Sequence, residues 1–577
     1  MNYPTPAIVP QAAVRPLPRW ALLLLCLAYV VPGFVGRGPW KSADITAFGY
    51  MREIAQGHTP WLSPLLGGMA PEIDGPLPYW LGALALHWAP AGMAPDVAAR
   101  LPFVALLALT LATTWWGVYY LARSPGAQPV AFAFGGEARP TDYARAMADG
   151  GLLALIACLG LAQLSHETTS YLTQLAFTTL VFYAAAAMPH RAGAAAIAMP
   201  LGLAGLALAG APLLATLFGL GAAALALFAP DGQADKHQTT QHRAWAAAWL
   251  AAVALAAWLA WAADLWAWRI NLPGTAQEFA NDYLPSTARL LVWFGWPAWP
   301  LALWTLWRWR RQFTSRPGHR HLLLPLWFVL VTLAATLTTQ PADRALLLGL
   351  PALATLSAFA LPTLSRSIAA LIDWFTLLFF SVSAIVVWVI WLSLQTGVPA
   401  QPAANIARLA PGFVPHFSLL ALAVALAATA AWCALTWWRA SRNRAAIWKS
   451  LVLPASGATL GWLLLMTLWL PVLDYARSYD PQVRQIVATL GPHPGCVITH
   501  GLSRPQVAAL QFHGQLDLRP DVTFPLPDCR WLAVSTDEAA LPALPQELDW
   551  PDGWRLYATV MRPTDKSERI VLLRRVD

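Results

Sequence analysis

Charged side chains are scarce in this chain. Only 11% of its 577 residues are Asp, Glu, Lys or Arg, whereas 58% are hydrophobic and the mean hydropathy is +0.50. Soluble globular domains carry about 25% charged residues, so this composition excludes a single water-soluble core. Apolar runs of roughly 17 to 25 residues, long enough to cross a hydrocarbon layer about 30 Å thick, recur along most of the length. The sequence therefore predicts a polytopic α-helical membrane protein.

The net charge of +8 would suggest nucleic-acid binding in a soluble protein. Here the basic residues cluster between apolar runs, which is the positive-inside pattern of a membrane protein and places the clusters in the cytoplasm. Nucleic acid is therefore not an expected partner. The two strongest clusters are Arg308, Arg310, Arg311, Arg316 and Arg320, and Arg439, Arg442, Arg444 and Lys449.

Apolar runs and basic clusters together predict about thirteen membrane spans. They cover residues 20–36, 99–122, 149–165, 168–188, 193–209, 211–229, 245–264, 289–307, 322–338, 345–361, 374–394, 417–438 and 451–471. An odd number of spans puts the N-terminus in the cytoplasm and the residues after 473 on the outer side.

The chain then divides into three parts. Residues 1–19 are Pro-rich and are predicted to be a disordered cytoplasmic tail, and residues 20–473 form the transmembrane domain. Residues 474–577 are predicted to form a small soluble α/β domain on the outer side, because the β-rich runs "CVIT", "CRWLAVS", "WRLYATV" and "RIVLLRR" alternate with turn residues there. The segment "SRPQVAALQFHG" is predicted to be a helix between two of these strands.

The sequence has only five cysteines, and three of them fall within predicted spans. Cys496 and Cys529 are the two in the outer domain, where a disulfide is compatible with an oxidising compartment. Two unpaired thiols are the equally weighted alternative, because sequence spacing does not give the distance between them.

The outer loop, residues 37–98, is too long and too patterned to be only a connector. From Asp44 to Gln56 it has apolar residues at helical spacing, namely Phe48, Met51 and Ile54, which predicts an amphipathic helix on the bilayer surface. Asp44 would begin this helix. The alternative is that Ser42 or Asp44 is simply an N-cap.

Further acidic residues gather at the same outer face. Glu72 and Asp74 lie in the same loop, and Glu167 follows His166 where the third and fourth spans meet. Several carboxylates near one membrane interface indicate a functional site. The alternative for His166 and Glu167 is the polar tip of a tight helical hairpin.

With these residues the chain resembles the integral-membrane glycosyltransferases of the GT-C type, especially bacterial relatives of aminoarabinose lipid A transferase and of protein O-mannosyltransferases (families 39 and 83). The segments that carry the resemblance are "SADITAFGYMREIAQGHTPWLSP", "EIDGPLPYW" and "ADRALLLGLPALA". The resemblance implies a GT-C-like fold in a bacterial inner membrane, with the C-terminal domain in the periplasm.

The resemblance also implies roles for particular residues. Asp44 corresponds to the catalytic carboxylate, Glu167 to the second acidic position, and Arg344 to the late basic residue; the aromatic pair is Tyr79 and Trp80. Glu72 or Asp74 matches the acidic position of the second segment. Thr46 and Asp74 stand where the family usually has basic residues, which puts the substrate contacts of those side chains in doubt.

The implied reaction moves a sugar from an undecaprenyl-phosphate donor to a lipid acceptor of the lipid A type or to a protein acceptor, with inversion. Asp44 would be the general base. Arg344 would stabilise the departing phosphate. Arg269 is a second candidate for that role, with an interfacial anchor beside Trp266 and Trp268 as its alternative.

Other interpretations remain open at this point. A divalent ion, Mg²⁺ or Zn²⁺, could be held by Glu72, Asp74 or Glu167, although no compact ligand spacing demands one. Two rival functions are a transporter or flippase of a lipid-linked glycan and a non-catalytic envelope assembly factor. Transporters usually place charges within spans, whereas here most charges lie at span ends or in loops, which favours the enzyme.

Overall fold

Helices account for most of the chain. The computed structural model describes residues 5–72, 74–228, 236–267, 269–313, 319–440, 446–520, 529–536 and 554–575. The helices from the N-terminus to the middle are α1 (Arg19–Val30), α2 (Ala43–Ala55), α3 (Leu77–His87), α4 (Pro95–Ala122), α5 (Pro140–Ala157), α6 (Leu161–Leu164), α7 (Ser170–Ala187), α8 (Ala192–Leu208), α9 (Pro212–Phe228), α10 (Lys236–Ala262), α11 (Ala276–Glu278) and α12 (Leu284–Phe294).

The remaining helices follow from residue 298 onward. They are α13 (Ala298–Arg308), α14 (Arg310–Phe313), α15 (Arg320–Thr338), α16 (Ala342–Leu347), α17 (Leu350–Ala360), α18 (Arg366–Thr396), α19 (Ala400–Leu409), α20 (Leu419–Ala440), α21 (Val452–Leu465), α22 (Leu470–Arg477), α23 (Asp480–Leu490) and α24 (Arg504–Phe512). Several begin with Pro in their first turn, where the missing N–H has no intrahelical partner to lose.

Each of the thirteen predicted spans overlaps at least one of these helices, and the eighth is divided between α12 and α13. By length and composition, five described helices can cross a membrane, namely α4, most of α10, α15, α18 and α20. A sixth is reached if α21 and α22, bent by 69°, count as one span. The chain is thus a multi-pass membrane protein, and the number thirteen stays a prediction.

The N-terminal segment differs from its prediction. The described part of the expected disordered tail packs against the helices: Ala7, Val9 and Val14 are buried, and Pro10 forms a β-bridge with Glu137. The indole of Trp448 donates a hydrogen bond to the Arg15 carbonyl. The prediction was wrong because it weighed the proline content and not the apolar residues, whose backbone pairs with the segment before α5: Val130 donates to the Ala7 carbonyl and Ala138 to the Val9 carbonyl.

The outer loop forms two helices, α2 and α3. The apolar residues of α2 were expected to face the bilayer, but Phe48, Met51 and Ile54 are buried within the protein. Met51 lies against Gly82 of α3, and Phe48 packs on Phe512 of α24. This expectation was wrong because α3, the next helix of the same loop, and α24, from the C-terminal part of the chain, cover the two sides of α2.

The C-terminal part contains a five-stranded sheet in the order β2-β1-β3-β5-β4. Its strands are β1 (Cys496–His500), β2 (Asp517–Pro520), β3 (Trp531–Ser535), β4 (Trp554–Arg562) and β5 (Asp565–Arg575). β1 pairs in parallel with β2 and β3, and β5 is antiparallel to β3 and β4. The four predicted strands and the helix α24 are confirmed. β2 was not predicted, since "DLRP" has no alternating apolar pattern.

Cys496 and Cys529 are joined by a disulfide, with their Cα atoms 5.0 Å apart. The bond links the start of β1 to the residues just before β3. It therefore ties together the two central parallel strands of the sheet.

Candidate active site

A buried ion pair forms the centre of the candidate site. Arg37 Nη1 lies 2.6 Å from Asp44 Oδ2, and both side chains are 2% exposed. The backbone N–H of Trp40 donates to the same oxygen at 3.1 Å. The other oxygen, Oδ1, accepts from the backbone N–H of Thr168 at 2.9 Å and from the Thr168 hydroxyl. Asp44 therefore joins the outer loop to the start of α7.

These contacts determine the charge of Asp44. Burial raises the pKa of its carboxyl, but the positive charges of Arg37 and Arg100 and the hydrogen bonds from Thr168 and Arg37 outweigh burial and bring the pKa to about 2. Neither the Asp44 nor the Ser42 side chain caps α2, so the alternative that one of them is only a helix cap is wrong. The general-base role stays a prediction; a carboxylate with this pKa is a weak base while the ion pair is closed.

Arg37 is itself fixed by backbone carbonyl groups. Its Nε donates to the Gly33 carbonyl at 2.9 Å, and its Nη2 donates to the His166 carbonyl at 2.7 Å. The guanidinium also lies over the Trp40 ring, 4.6 Å from its centroid. Asp474 on α22 holds the same loop by accepting hydrogen bonds from the Trp40 indole and the Gly38 N–H. The loop that precedes α2 thus has little freedom to move.

His166 serves as a packing residue in this arrangement. Its ring lies against Gly33, where an added Cβ would come within 2.2 Å of the imidazole, and against Trp462. Its two ring nitrogens face the carbonyl oxygens of Ala162 and Tyr29. Burial lowers the pKa of His166 to about 4, so the imidazole is neutral at physiological pH.

Glu167 and Arg344 form a second, looser ion pair. Arg344 Nη1 lies 3.5 Å from Glu167 Oε2, and the guanidinium covers the ring of Tyr171 at 4.4 Å. Burial raises the pKa of Glu167, while Arg344 opposes that rise. A proton on Glu167 is therefore held more firmly than one on Asp44.

Asp74 is bound by two hydroxyl groups. The Tyr79 hydroxyl donates to Oδ2 at 2.9 Å, and the Ser170 hydroxyl donates to Oδ1. Burial and then the negative charge of Asp74 raise the pKa of Tyr79 well above its usual value, so the phenol keeps its proton as donor. Arg269 lies within electrostatic range of Asp74 and Tyr171. Asp74, Arg269 and Arg344 thus gather around one aromatic ring.

A cavity of about 700 Å³ opens beside this group. Its polar lining includes Asp74, Arg269 and Arg344. Most of its wall is apolar. The helices α9 and α15 contribute Leu213, Leu214, Leu217, Trp327, Leu330, Val331 and Ala334 to it. The lining extends along α15 from Thr338 to Trp327, which is a length of about 16 Å at 1.5 Å per helical residue. The cavity can therefore hold a molecule with an anionic head and an apolar chain.

Two expected site residues, Glu72 and Trp80, lie outside the cavity lining, and the expected metal ligands do not come together. Glu72 is exposed and pairs with Arg504 of α24, and the Trp80 indole donates to the Trp61 carbonyl at 2.7 Å. The carboxylates of Glu72, Asp74 and Glu167 each have different partners. Among the residues that the structure describes, no three His, Cys, Asp or Glu side chains form a metal-binding group. The residues expected to hold Mg²⁺ or Zn²⁺ do not fit a shared ion.

Several residues of this site were not predicted from the sequence, notably Arg37, Thr168, Ser170 and Tyr171. Arg37 follows the first span and precedes Asp44 by seven residues. Its position in the acidic loop was a usable signal, because an acidic group in a poorly hydrated place needs a counter-ion. The hydroxyl residues after Glu167 gave no signal of their own.

Comparison with known proteins shows the fold. No family model and no curated relative matches the sequence. The crystal structure of ArnT from Cupriavidus metallidurans in the apo state superposes with a TM-score of 0.59 at 16% identity, over 96% of this chain and 98% of that chain. ArnT from the same organism bound to undecaprenyl phosphate gives a TM-score of 0.57, with the same identity and coverage.

A looser alignment links the chain to the oligosaccharyltransferase of Archaeoglobus fulgidus tethered to an acceptor peptide. Its TM-score is 0.41 at 11% identity, over 88% of this chain and 64% of that chain. The close agreement in length and layout is with ArnT. The chain has the GT-C fold that the sequence predicted.

Proposed function

We propose that this chain is a membrane glycosyltransferase that takes a sugar from a polyprenyl-phosphate donor and transfers it to a lipid or protein acceptor at the periplasmic face of the inner membrane. The observation that carries the proposal is the cavity with Arg269 and Arg344 in its lining and apolar walls along α9 and α15. An isoprenoid chain would occupy the apolar part, and the phosphate would meet the two guanidinium groups.

The chemistry of these groups suits a phosphate leaving group. Guanidinium groups bind phosphate oxygens through paired, charge-assisted hydrogen bonds, and fixed cations stabilise negative charge as the glycosidic bond breaks. Arg344 already has Glu167 as a partner at 3.5 Å, a loose contact that a phosphate can displace. The structure of ArnT bound to undecaprenyl phosphate supports a polyprenyl phosphate as the donor lipid.

The two outer-loop carboxylates are proposed to have different roles. Asp74 lines the cavity, whereas Asp44 is not among the lining residues and is buried, with hydrogen bonds from Arg37 and Thr168. We propose that Asp74 faces the reacting sugar and that Asp44 holds Arg37 and Thr168, which fixes the loop. If Asp44 is instead the base, its ion pair with Arg37 must open during each turnover. Inversion at the anomeric carbon is the expected stereochemistry.

The experiment that tests the proposal uses purified protein in nanodiscs and lipid extracts that contain undecaprenyl-phosphate-linked sugars. Wild-type protein is expected to release undecaprenyl phosphate, detected by mass spectrometry. Arg344→Ala and Arg269→Ala should each weaken donor binding about 10-fold or more, as expected for lost hydrogen bonds between charged groups. Arg408→Ala, an exposed arginine on α19, is the matched control and should behave as wild type.

The result also separates an enzyme from a transporter. Movement of the glycolipid across a liposome membrane with its glycosidic bond intact would favour transport. Asp44→Asn and Asp74→Asn separate the two carboxylates: Asp74→Asn should lower turnover in a fully stable protein, whereas Asp44→Asn should lower thermal stability as well.

The proposed orientation has the N-terminus in the cytoplasm and the C-terminal domain in the periplasm. Single cysteines introduced into a variant that lacks the three free cysteines, Cys26, Cys158 and Cys433, but keeps the disulfide test it through labelling with a membrane-impermeant maleimide. A cysteine at exposed Leu556 should be labelled in intact spheroplasts, and one at exposed Phe134 should react only after lysis. The reverse pattern would invert the topology.

A further inference from the structure

The C-terminal domain contacts the outer loop on both sides of α2. Lys41 Nζ lies 2.8 Å from Glu568 Oε1 and 3.2 Å from Asp565 Oδ2, at the turn between β4 and β5. Farther along the loop, Arg504 of α24 pairs with Glu72 and donates to the Ala70 carbonyl at 2.9 Å. The loop residues on either side of α2 are therefore both attached to the same domain.

Between these two attachments, α2 and α24 pack closely against each other. Gly49 allows the approach, because a Cβ added there would lie 2.8 Å from Ala508 Cβ, closer than such atoms come in proteins. The rings of Phe48 and Phe512 are 4.8 Å apart. Arg52 Nη1 donates to the Gln511 carbonyl at 2.8 Å. Exposed ion pairs contribute little to stability, so the packing at Gly49 is the stronger determinant of position.

The opposite side of α2 contacts α3, which carries Tyr79. The Tyr50 and Tyr79 ring centroids are 4.9 Å apart, and Met51 fills the space above Gly82. Tyr79 in turn donates to Asp74 in the cavity lining. A continuous series of contacts therefore runs from α24 through α2 and α3 to the carboxylate at the cavity.

We propose that the C-terminal domain is a positioning element of the transferase site, and that the contact of Ala508 with Gly49 sets the location of Asp74 through α2 and Tyr79. This inference rests on the proposed function. Gly49 and Ala508 are positioning residues, since neither contacts the cavity. Positioning differs from acceptor binding, because a misplaced Asp74 lowers the turnover of substrate that is already bound.

The variant Gly49→Ala tests the proposal. The added methyl group must displace α24 or α2, and a displacement of about 1 Å at a reacting group costs on the order of 100-fold in rate. We expect kcat to fall by that order with little change in the donor KM. Alanine has a higher helix propensity than glycine, so the loss cannot come from a weaker α2. Gly461→Ala, in α21 with nothing near its added Cβ, is the matched control.

A compensating change makes the test specific. A methyl group added at Gly49 would meet Ala508 Cβ at 2.8 Å and the Leu66 methyl groups at 3.1 and 3.2 Å, and the Leu66 methyl groups are the end of a flexible side chain that can shift. Ala508→Gly removes the closest of these contacts, so the double variant should regain most of the lost kcat, and Ala508→Gly alone should stay near wild-type activity. A double variant as slow as Gly49→Ala alone would overturn the proposal. So would a wild-type kcat in Gly49→Ala.

Hydrogen exchange gives an independent readout that needs no activity. In Gly49→Ala, amides of α2 and of residues 77–87 should lose protection, and Ala508→Gly should restore it. Unchanged protection of both segments in Gly49→Ala would overturn the positioning claim even if the wild type transfers sugar. If the wild type transfers no sugar, the proposed function fails, while the exchange data still decide whether α24 positions α2 and α3.

Discussion

The Tyr79 hydroxyl, on α3, lies 2.9 Å from the carboxylate of Asp74, in the loop that precedes this helix. Tyr79 is 1% exposed, and its ring packs on Tyr50, so the phenol has one orientation available. Asp74 is thereby held by a donor whose own position depends on α2. This pair connects the packing of the outer loop to the chemistry of the cavity.

Removal of this hydroxyl is expected to impair catalysis more than stability. Tyr79→Phe keeps the ring and its packing but leaves Asp74 with one hydroxyl donor fewer. A hydrogen bond to a charged group contributes about 1.5 to 3 kcal/mol, so kcat/KM should fall by about 10-fold or more. Steady-state transfer assays measure this, with Tyr557→Phe on the exposed face of β4 as the control. Unchanged kcat/KM would show that Asp74 does not depend on Tyr79.

The ion pair of Arg37 and Asp44 is expected to be a stability element. Removal of one partner from a buried pair leaves an uncompensated charge and costs about 3 to 5 kcal/mol. Arg37→Ala should therefore lower Tm substantially. In the double variant with Asp44→Ala, the decrease in Tm should be smaller than the sum of the decreases in the two single variants. Thermal unfolding in detergent measures this cycle. Additive losses would mean that the two residues do not interact.

Acid pH provides a second test of the same pair. The pKa of Asp44 is lowered in the folded protein from 3.8 to about 2, so the carboxylate stabilises the fold above pH 4 and loses this contribution as the pH falls towards 2. The Tm difference between wild type and Asp44→Asn should be constant at neutral pH and shrink between pH 4 and pH 2. A difference that does not change with pH would contradict the assigned ion pair.

The disulfide is expected to stabilise the C-terminal domain. Cys496 and Cys529 are 33 residues apart in sequence, and cross-linking a loop of that length stabilises a fold by about 3.7 kcal/mol. Replacement of both with Ser should make the domain more sensitive to protease, whereas Cys433→Ser, at an exposed position in α20, should not. Mass spectrometry of non-reduced peptides detects the bond directly. Free thiols at both positions in protein from oxidising conditions would contradict it.

Much of this architecture could be predicted from composition alone. In a membrane, the backbone N–H and C=O groups must be hydrogen-bonded within the protein. Long apolar runs in a chain with few charges are therefore expected to form α-helices. The change to short alternating runs after residue 473 predicted four of the five strands that the sheet contains. Both predictions rest on local patterns, which a single sequence displays.

The site was less predictable because its contacts join distant parts of the chain. Thr168 and Asp44 are 124 residues apart, and Arg504 and Glu72 are 432 residues apart. Acidity in the outer loop marked Asp44, Glu72 and Asp74 alike. Only the fold separates them, with Asp44 in a buried ion pair, Glu72 at the C-terminal domain and Asp74 at the cavity.

The most direct test of the central claim is mass spectrometry of undecaprenyl-phosphate-linked sugars incubated with the purified chain and a membrane lipid extract. Wild-type protein is expected to release undecaprenyl phosphate while an acceptor gains the mass of the sugar, and Arg344→Ala is expected to do so far more slowly. Donor that stays intact with folded wild-type protein and a complete set of envelope acceptors would contradict this claim.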